Sequence, residues 1–230
     1  MRINFVICVF CLSVSVLHSQ KLPERNFVFS LGAGSTYMFG DFPANRAKYA
    51  FLKQNVVFGA DARKYIADGV NCGADIFYFT CNGASDMTSR NYQFQSKLFS
   101  VVGIGSMDLI SFFEKKSKTV DLTVSVNSGI IHASVPFMAF PPNTGRPDGT
   151  DKLKTQCFGV LYGGGLGCRV NLTTRVGLRL EATYNFTTTD FLDGFSPQDS
   201  KRNDSYIQGI LEMFFRLPAH KDSKQRQPRP

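Results

Sequence analysis

From residue 27 onward, apolar and polar side chains alternate with a period of two in one segment after another. That period is the mark of strands with one face in an apolar medium. Eight strands are predicted, over 27–39, 55–66, 70–81, 93–108, 119–132, 157–170, 176–188 and 205–217. Each is long enough to cross a bilayer at a tilt, which takes about 9–11 residues. Long connections follow the odd-numbered strands: Gly40 to Gln54, Asn82 to Tyr92, Ala133 to Gln156 and Thr189 to Asp204. Short turns follow the even-numbered ones: Ala67-Asp68-Gly69, Glu114 to Lys118 and Asn171 to Arg175. The longest connection carries Pro136, Pro141, Pro142 and Pro147, which argues against a strand there. Even strand number with alternating loop lengths predicts an all-β, transmembrane, up-and-down antiparallel barrel. Its short turns and both termini are expected in the periplasm of a bacterial outer membrane.

The phase of the alternation assigns the faces. Strand five reads Leu122, Val124, Val126, Ser128, Ile130 outward and Asp121, Thr123, Ser125, Asn127, Gly129 inward. The same phasing sends Asp61, Asp75, Asp121, Glu181 and Glu212 inward, with Arg63, Lys97, Arg169, Arg179 and Arg216. Five acids against five bases predict a paired charge network filling a closed lumen, because unpaired buried charge is costly. Eight strands leave room for side chains but not for an aqueous channel. Tyr37, Tyr65, Tyr78, Tyr184 and Phe215 fall near strand ends, where interfacial girdles form. The competing reading is a soluble barrel or sandwich with the faces reversed; strand length and loop asymmetry weigh against it.

The N-terminus changes the picture next. Arg2 precedes a mostly apolar run from Asn4 to Leu17, and Ser19 offers a small residue for cleavage. Residues 1–19 therefore read as a signal peptide, too short for a spanning helix. The barrel is expected over 20–217 and a polar tail over 218–230. Val9-Phe10 before Cys11 is too bulky for a lipoprotein signal. Mean hydropathy is −0.10, as expected when alternation halves the apolar signal. Formal charge is +8, or +7 without Arg2. In an exported chain that balance points to lipid head groups or acidic proteins, not nucleic acid. Positive charge concentrates in Lys115, Lys116 and Lys118 of one short turn and in Lys221, Lys224, Arg226 and Arg229 of the tail. These are the candidate partner-binding residues.

Candidate chemistry is sparse. Cys81 and Cys157 fall at the extracellular ends of strands three and six in the lumen phase, and form the candidate disulfide. Strands three and six are not neighbours, so a bridge needs closure of the loop ends; small apolar packing is the alternative. Cys72 and Cys168 lie at the opposite ends. With only His132 and His220 in the mature chain, no metal ligand set is expected. The run Tyr162-Gly163-Gly164-Gly165-Leu166-Gly167 lacks the Lys-Ser/Thr ending and following helix of a phosphate loop. Its glycines are expected to make lumen space for Arg179 and Glu181. His132 with Asp190 or Asp193 has no fixed nucleophile or water beside it, so neither catalysis nor a cofactor is expected.

Several short segments, in order, resemble a known family. They are Tyr37-Met38-Phe39-Gly40-Asp41, Arg90-Asn91-Tyr92-Gln93-Phe94, Val176 to Tyr184, Thr188-Thr189-Asp190-Phe191-Leu192-Asp193-Gly194, and Asn203-Asp204-Ser205-Tyr206. Together they resemble the outer-membrane β-barrel family of type IX secretion that includes PorG. Phe191 stands where that family has Tyr, and Gly194 where it has a second acid. The resemblance implies a barrel that anchors or links a secretion machine, with periplasmic ring lipoproteins of the PorK and PorN kind as partners. A small barrel enzyme at the outer leaflet, or a passive barrel binding ligands through its long loops, are the alternatives.

Overall fold

A computed structural model of the chain describes residues 27–39, 55–87, 90–114, 119–139, 152–153, 155–173, 175–192, 195–196 and 203–217. The expected signal peptide, the basic tail and Lys115, Lys116 and Lys118 lie outside them. Eight strands close into one antiparallel barrel: β1 Phe27–Phe39, β2 Val56–Ala67, β3 Val70–Met87, β4 Arg90–Asp108, β5 Val120–Ala139, β7 Gln156–Asn171, β8 Val176–Thr187 and β10 Ser205–Leu217. Each pairs with the next in sequence, and β1 closes the ring on β10. Closure satisfies the backbone of every strand on both sides, which an open sheet in lipid could not do. No helix among the described residues is long and apolar enough to cross a membrane.

The outer surface is the apolar one. Leu31 is 66% exposed, Leu166 67% and Phe158 76%, while Arg63, Asp75 and Glu212 are buried inside. This inverted polarity is that of a transmembrane barrel. Three rows of outward residues run straight across β3, β4, β5 and β7. Ile76, Val101, Ile130 and Val160 are in register, then Tyr78, Phe99, His132 and Phe158, then Thr80, Lys97, Ser134 and Gln156. Toward the loop end the wall thus passes from aliphatic to aromatic to polar. Along β5 the outward apolar run from Val120 to Ile130 corresponds to roughly 25 Å of bilayer at ordinary strand rise and tilt.

Three local outcomes differ from expectation. The predicted loop Asn82 to Tyr92 is a strand extension, with Met87 paired to Arg90. β5 likewise runs on to Ala139 and contains Pro136. The register between β4 and β5 slips by one residue between Gln95 and Lys97, opposite Val135 and Pro136. Such a bulge tolerates a residue with no N–H to give to the ladder. The expected turn after β4 begins with a helix, α1 Leu109–Glu114. The Asp121 carboxylate accepts from the Ile110 and Ser111 amides at 2.8 and 2.9 Å, satisfying donors that a helix start leaves without partners. A second, small sheet joins two loops, β6 Lys152–Leu153 against β9 Phe195–Ser196.

The turn Asp68-Gly69 conforms to expectation. Gly69 has φ +70°, and a Cβ there would lie 2.7 Å from the Phe112 amide nitrogen and 2.8 Å from the Asp108 carbonyl oxygen. Both the backbone conformation and the packed helix demand glycine. Gly69→Val should therefore cost about 1–3 kcal/mol, read as a lower urea midpoint for the barrel folded in lipid vesicles. An unchanged midpoint would mean that the turn and α1 separate without cost.

Candidate functional site: a stratified lumen and a sealed mouth

Inward residues of the strands divide the lumen into layers. In the middle, Arg63 lies 3.1 Å from Asp75, 3.4 Å from Asp61 and 3.4 Å from Glu181. Arg179 donates through Nε to Glu212 at 2.5 Å, pairs with Asp61, and lies 3.6 Å from Glu181. Ser125 donates to Glu181 at 2.5 Å and Arg179 reaches Ser30 at 3.3 Å. All six charged residues are at most 6% exposed. Such burial is tolerable because every charge faces an opposite one and each guanidinium serves three carboxylates.

A second layer lies nearer the chain termini. Arg169 pairs with Asp108 and lies 3.5 Å from Asp121, while Tyr65 donates to Asp108 at 2.9 Å. Thr123 donates to the other Asp108 oxygen at 3.1 Å. Arg216, half-buried, donates to Asn171 at 2.7 Å and lies over the Phe214 ring. The expected network is thus present but differently composed. Lys97 is exposed on the outer wall, not inside, and Asp108 takes a place that strand phase alone did not assign. In these two layers six inward carboxylates (Asp61, Asp75, Asp108, Asp121, Glu181, Glu212) face four guanidiniums. Tyr65 also departs from expectation: it joins this inner layer and not a girdle.

The glycine run fits its structural reading. A Cβ on Gly165 would meet the Ala182 carbonyl oxygen at 2.7 Å, and one on Gly167 the Leu180 carbonyl oxygen at 2.8 Å. β7 therefore passes too close to β8 for side chains, and Glu181 occupies the space.

Toward the loop end the lumen turns apolar. Phe79, Leu98, Val102, Ile131, Leu161 and Ile210 pack with Tyr206, whose ring lies 5.1 Å from Phe79. The segment after β8 folds into this mouth. Leu192 is fully buried, its amide donates to the Asp204 carboxylate at 2.7 Å, and its carbonyl accepts from Ser96 at 2.5 Å. The Phe191 carbonyl accepts from the Cys157 thiol at 3.3 Å. Cys81 lies 3.6 Å from the Thr36 hydroxyl. The expected Cys81–Cys157 disulfide is therefore not formed; both side chains serve as small apolar packing. His132 points outward, its ring 4.4 Å from that of Phe158, and Asp193 lies outside the described residues. Sequence reasoning missed Phe191 and Leu192 as a plug, because a loop carries no periodicity to show which way it folds.

The central layer holds more carboxylates than guanidiniums, so the two partners of a pair are not equivalent. Losing Glu212 leaves Arg179 with Asp61 and Glu181. Losing Arg179 leaves Asp61 and Glu181 dependent on Arg63 and takes from Glu212 the guanidinium it pairs with. Arg179→Leu should destabilise the barrel by about 3–5 kcal/mol and Glu212→Leu by clearly less, both measured by urea unfolding in vesicles. Equal costs, or a silent Arg179→Leu, would show that pairing does not hold the lumen.

No family model matches the chain, and no curated protein matches it. Among solved structures it is similar to Neisserial surface protein A, at 12% identity over 84% of this chain and 97% of that one, with a TM-score of 0.49. It is similar to Ail, the attachment invasion locus protein of Yersinia pestis, at 12% identity over 85% and 100%, with a TM-score of 0.47. It is also similar to the outer membrane protein OprG of Pseudomonas aeruginosa, at 9% identity over 86% and 98%, with a TM-score of 0.47. These are likenesses among small barrels; the fold assignment rests on the chain's own closed register.

Proposed function

We propose that the chain is an outer-membrane barrel component of a type IX-like secretion machine. On this reading it sits in outer-membrane lipid with both termini in the periplasm. It anchors or links periplasmic ring lipoproteins of the PorK and PorN kind and performs no catalysis. One observation supports this reading above others. Two separate segments of the family resemblance, Thr189 to Leu192 and Asn203 to Tyr206, meet as one unit that seals the barrel mouth, with Asp204 holding the Leu192 amide. A lumen sealed above and filled with paired charge below suits an anchor, whose work is done at its rims, better than a conduit. The basic residues Lys115, Lys116, Lys118, Lys221, Lys224, Arg226 and Arg229 then supply the periplasmic contact, chiefly by speeding and orienting encounter.

The test is capture of partners from detergent-solubilised outer membrane, alongside secretion in a strain lacking the gene. Periplasmic lipoproteins should co-purify and secretion should fail. Removing residues 219–230 should weaken association and its salt sensitivity while leaving the barrel assembled, because β10 ends at Leu217. Reversing Lys115, Lys116 and Lys118 to Glu should add to that loss. Unchanged capture by both variants at the same ionic strength would place the contact elsewhere, and normal secretion in the deletion strain would overturn the role.

A further inference from the structure

Lys97 stands on the outer wall, and its level on that wall is defined by its register partners. Directly across β3, β5 and β7 lie Thr80, Ser134 and Gln156. One row nearer the bilayer centre come Tyr78, Phe99, His132 and Phe158, and one row further in come Ile76, Val101, Ile130 and Val160. Aliphatic, aromatic and polar rows in that order trace hydrocarbon, interface and head-group zones. Lys97 therefore sits at head-group depth, where an outward cation costs little, and not in the hydrocarbon.

Its neighbours make it more than a solvated charge. His132, paired to Phe99, is the diagonal neighbour of Lys97, a relation that places side chains about 7–8 Å apart. The span suits one tetrahedral anion held between two donors. Ser134, opposite Lys97, adds a hydroxyl on the same face. Among the described side chains, no carboxylate stands on the outward face of β3, β4, β5 or β7 to claim the Lys97 ammonium. The exposed rings of Phe99 and Phe158 lie just below, where acyl chains begin.

We propose that Lys97 and His132, with Ser134 beside them, clamp the phosphate of a lipid head group in the leaflet at the loop end of the barrel. The ammonium provides charge, the imidazole and hydroxyl provide hydrogen bonds, and the aromatic row supports the chains. This goes beyond the secretion reading and stands whether or not that reading holds.

Native mass spectrometry of the full-length protein in detergent, titrated with phosphatidylglycerol and separately with a phosphate-free galactosyl diacylglycerol of the same chains, tests it. Wild-type protein should retain phosphatidylglycerol in clear preference. The double variant Lys97→Gln, His132→Gln should lose roughly fivefold or more of that retention, since a cation at the membrane surface is worth about that factor. Lys64→Gln should change nothing; Lys64 is an outward cation at the other rim, over the Phe27 ring at 5.0 Å. Equal retention of both lipids by wild type would overturn the clamp, as would undiminished retention by the double variant or an equal loss in Lys64→Gln. The wild-type preference needs no variant, so misfolding of the double variant leaves the test standing.

Discussion

In an eight-stranded barrel set in lipid, charge that is kept off the wall must enter a lumen only wide enough for side chains, and there it must meet its opposite. The rest of this structure depends on that constraint. Asp61 is directly opposite Asp75 across β2 and β3, and Arg169 directly opposite Arg179 across β7 and β8. Like charges facing across a strand pair repel. They coexist here because each is shared: Arg63 reaches Asp61, Asp75 and Glu181, and Arg179 reaches Asp61, Glu181 and Glu212. The shared pairs also have a mechanical effect. β2 and β8 are separated in the ring by β1 and β10, yet Arg63 and Arg179 tie them together across the lumen. Backbone hydrogen bonds hold neighbours; these guanidiniums brace strands that are not neighbours.

A lumen charged throughout would demand a partner for every carboxylate up to the mouth. The chain avoids that by turning apolar toward the loop end, where Phe79, Leu98, Val102, Ile131 and Leu161 form an ordinary core inside a membrane barrel. An apolar mouth then needs a cover, and Phe191 and Leu192 supply it from the chain itself. Asp204 makes the cover possible, because a buried backbone amide without an acceptor would cost about as much as the burial gained. The short motifs around Asp190 and Asp204 therefore have a physical content: one is the plug and the other its clasp.

The same layering explains what could be read from sequence. Where lipid faces a polar or charged lumen, as along 119–130 and 176–186, period two is clean and sequence phase and structure agree on both faces. Where lipid faces an apolar lumen, as at Leu98, Phe99, Val101 and Val102, both faces of the strand are apolar and the phase is lost. Sequence phase places Lys97 inward for that reason and gives no inward position to Asp108, which lies ten residues beyond Leu98 on the same face of the strand. Pro136 reads as a strand breaker because its bulge partner, Ser96, is distant in sequence and only tertiary pairing makes the missing N–H harmless. Helix α1 depends on Asp121 from the next strand, another contact that no local pattern announces.

A lumen spent on its own stability leaves the wall and the two rims for interaction with anything else. The rims differ. At the loop end β3, β4 and β5 continue past the polar row as a raised wall, to Met87, from Arg90 and to Ala139. On the opposite arc β8 stops at Thr187 and its following segment turns inward as the plug. Among the described residues, that end carries a wall on one side and an apolar floor, with Phe191 and Leu192, on the other. At the terminus end the barrel closes with Asp108, Asp121, Arg169 and Tyr65, which bond to one another and to Thr123, Ile110 and Ser111. The charge inside the barrel is thus structural: its groups face one another across the lumen, so a change on the outer wall or at a rim leaves the pairs that brace β2 against β8 intact.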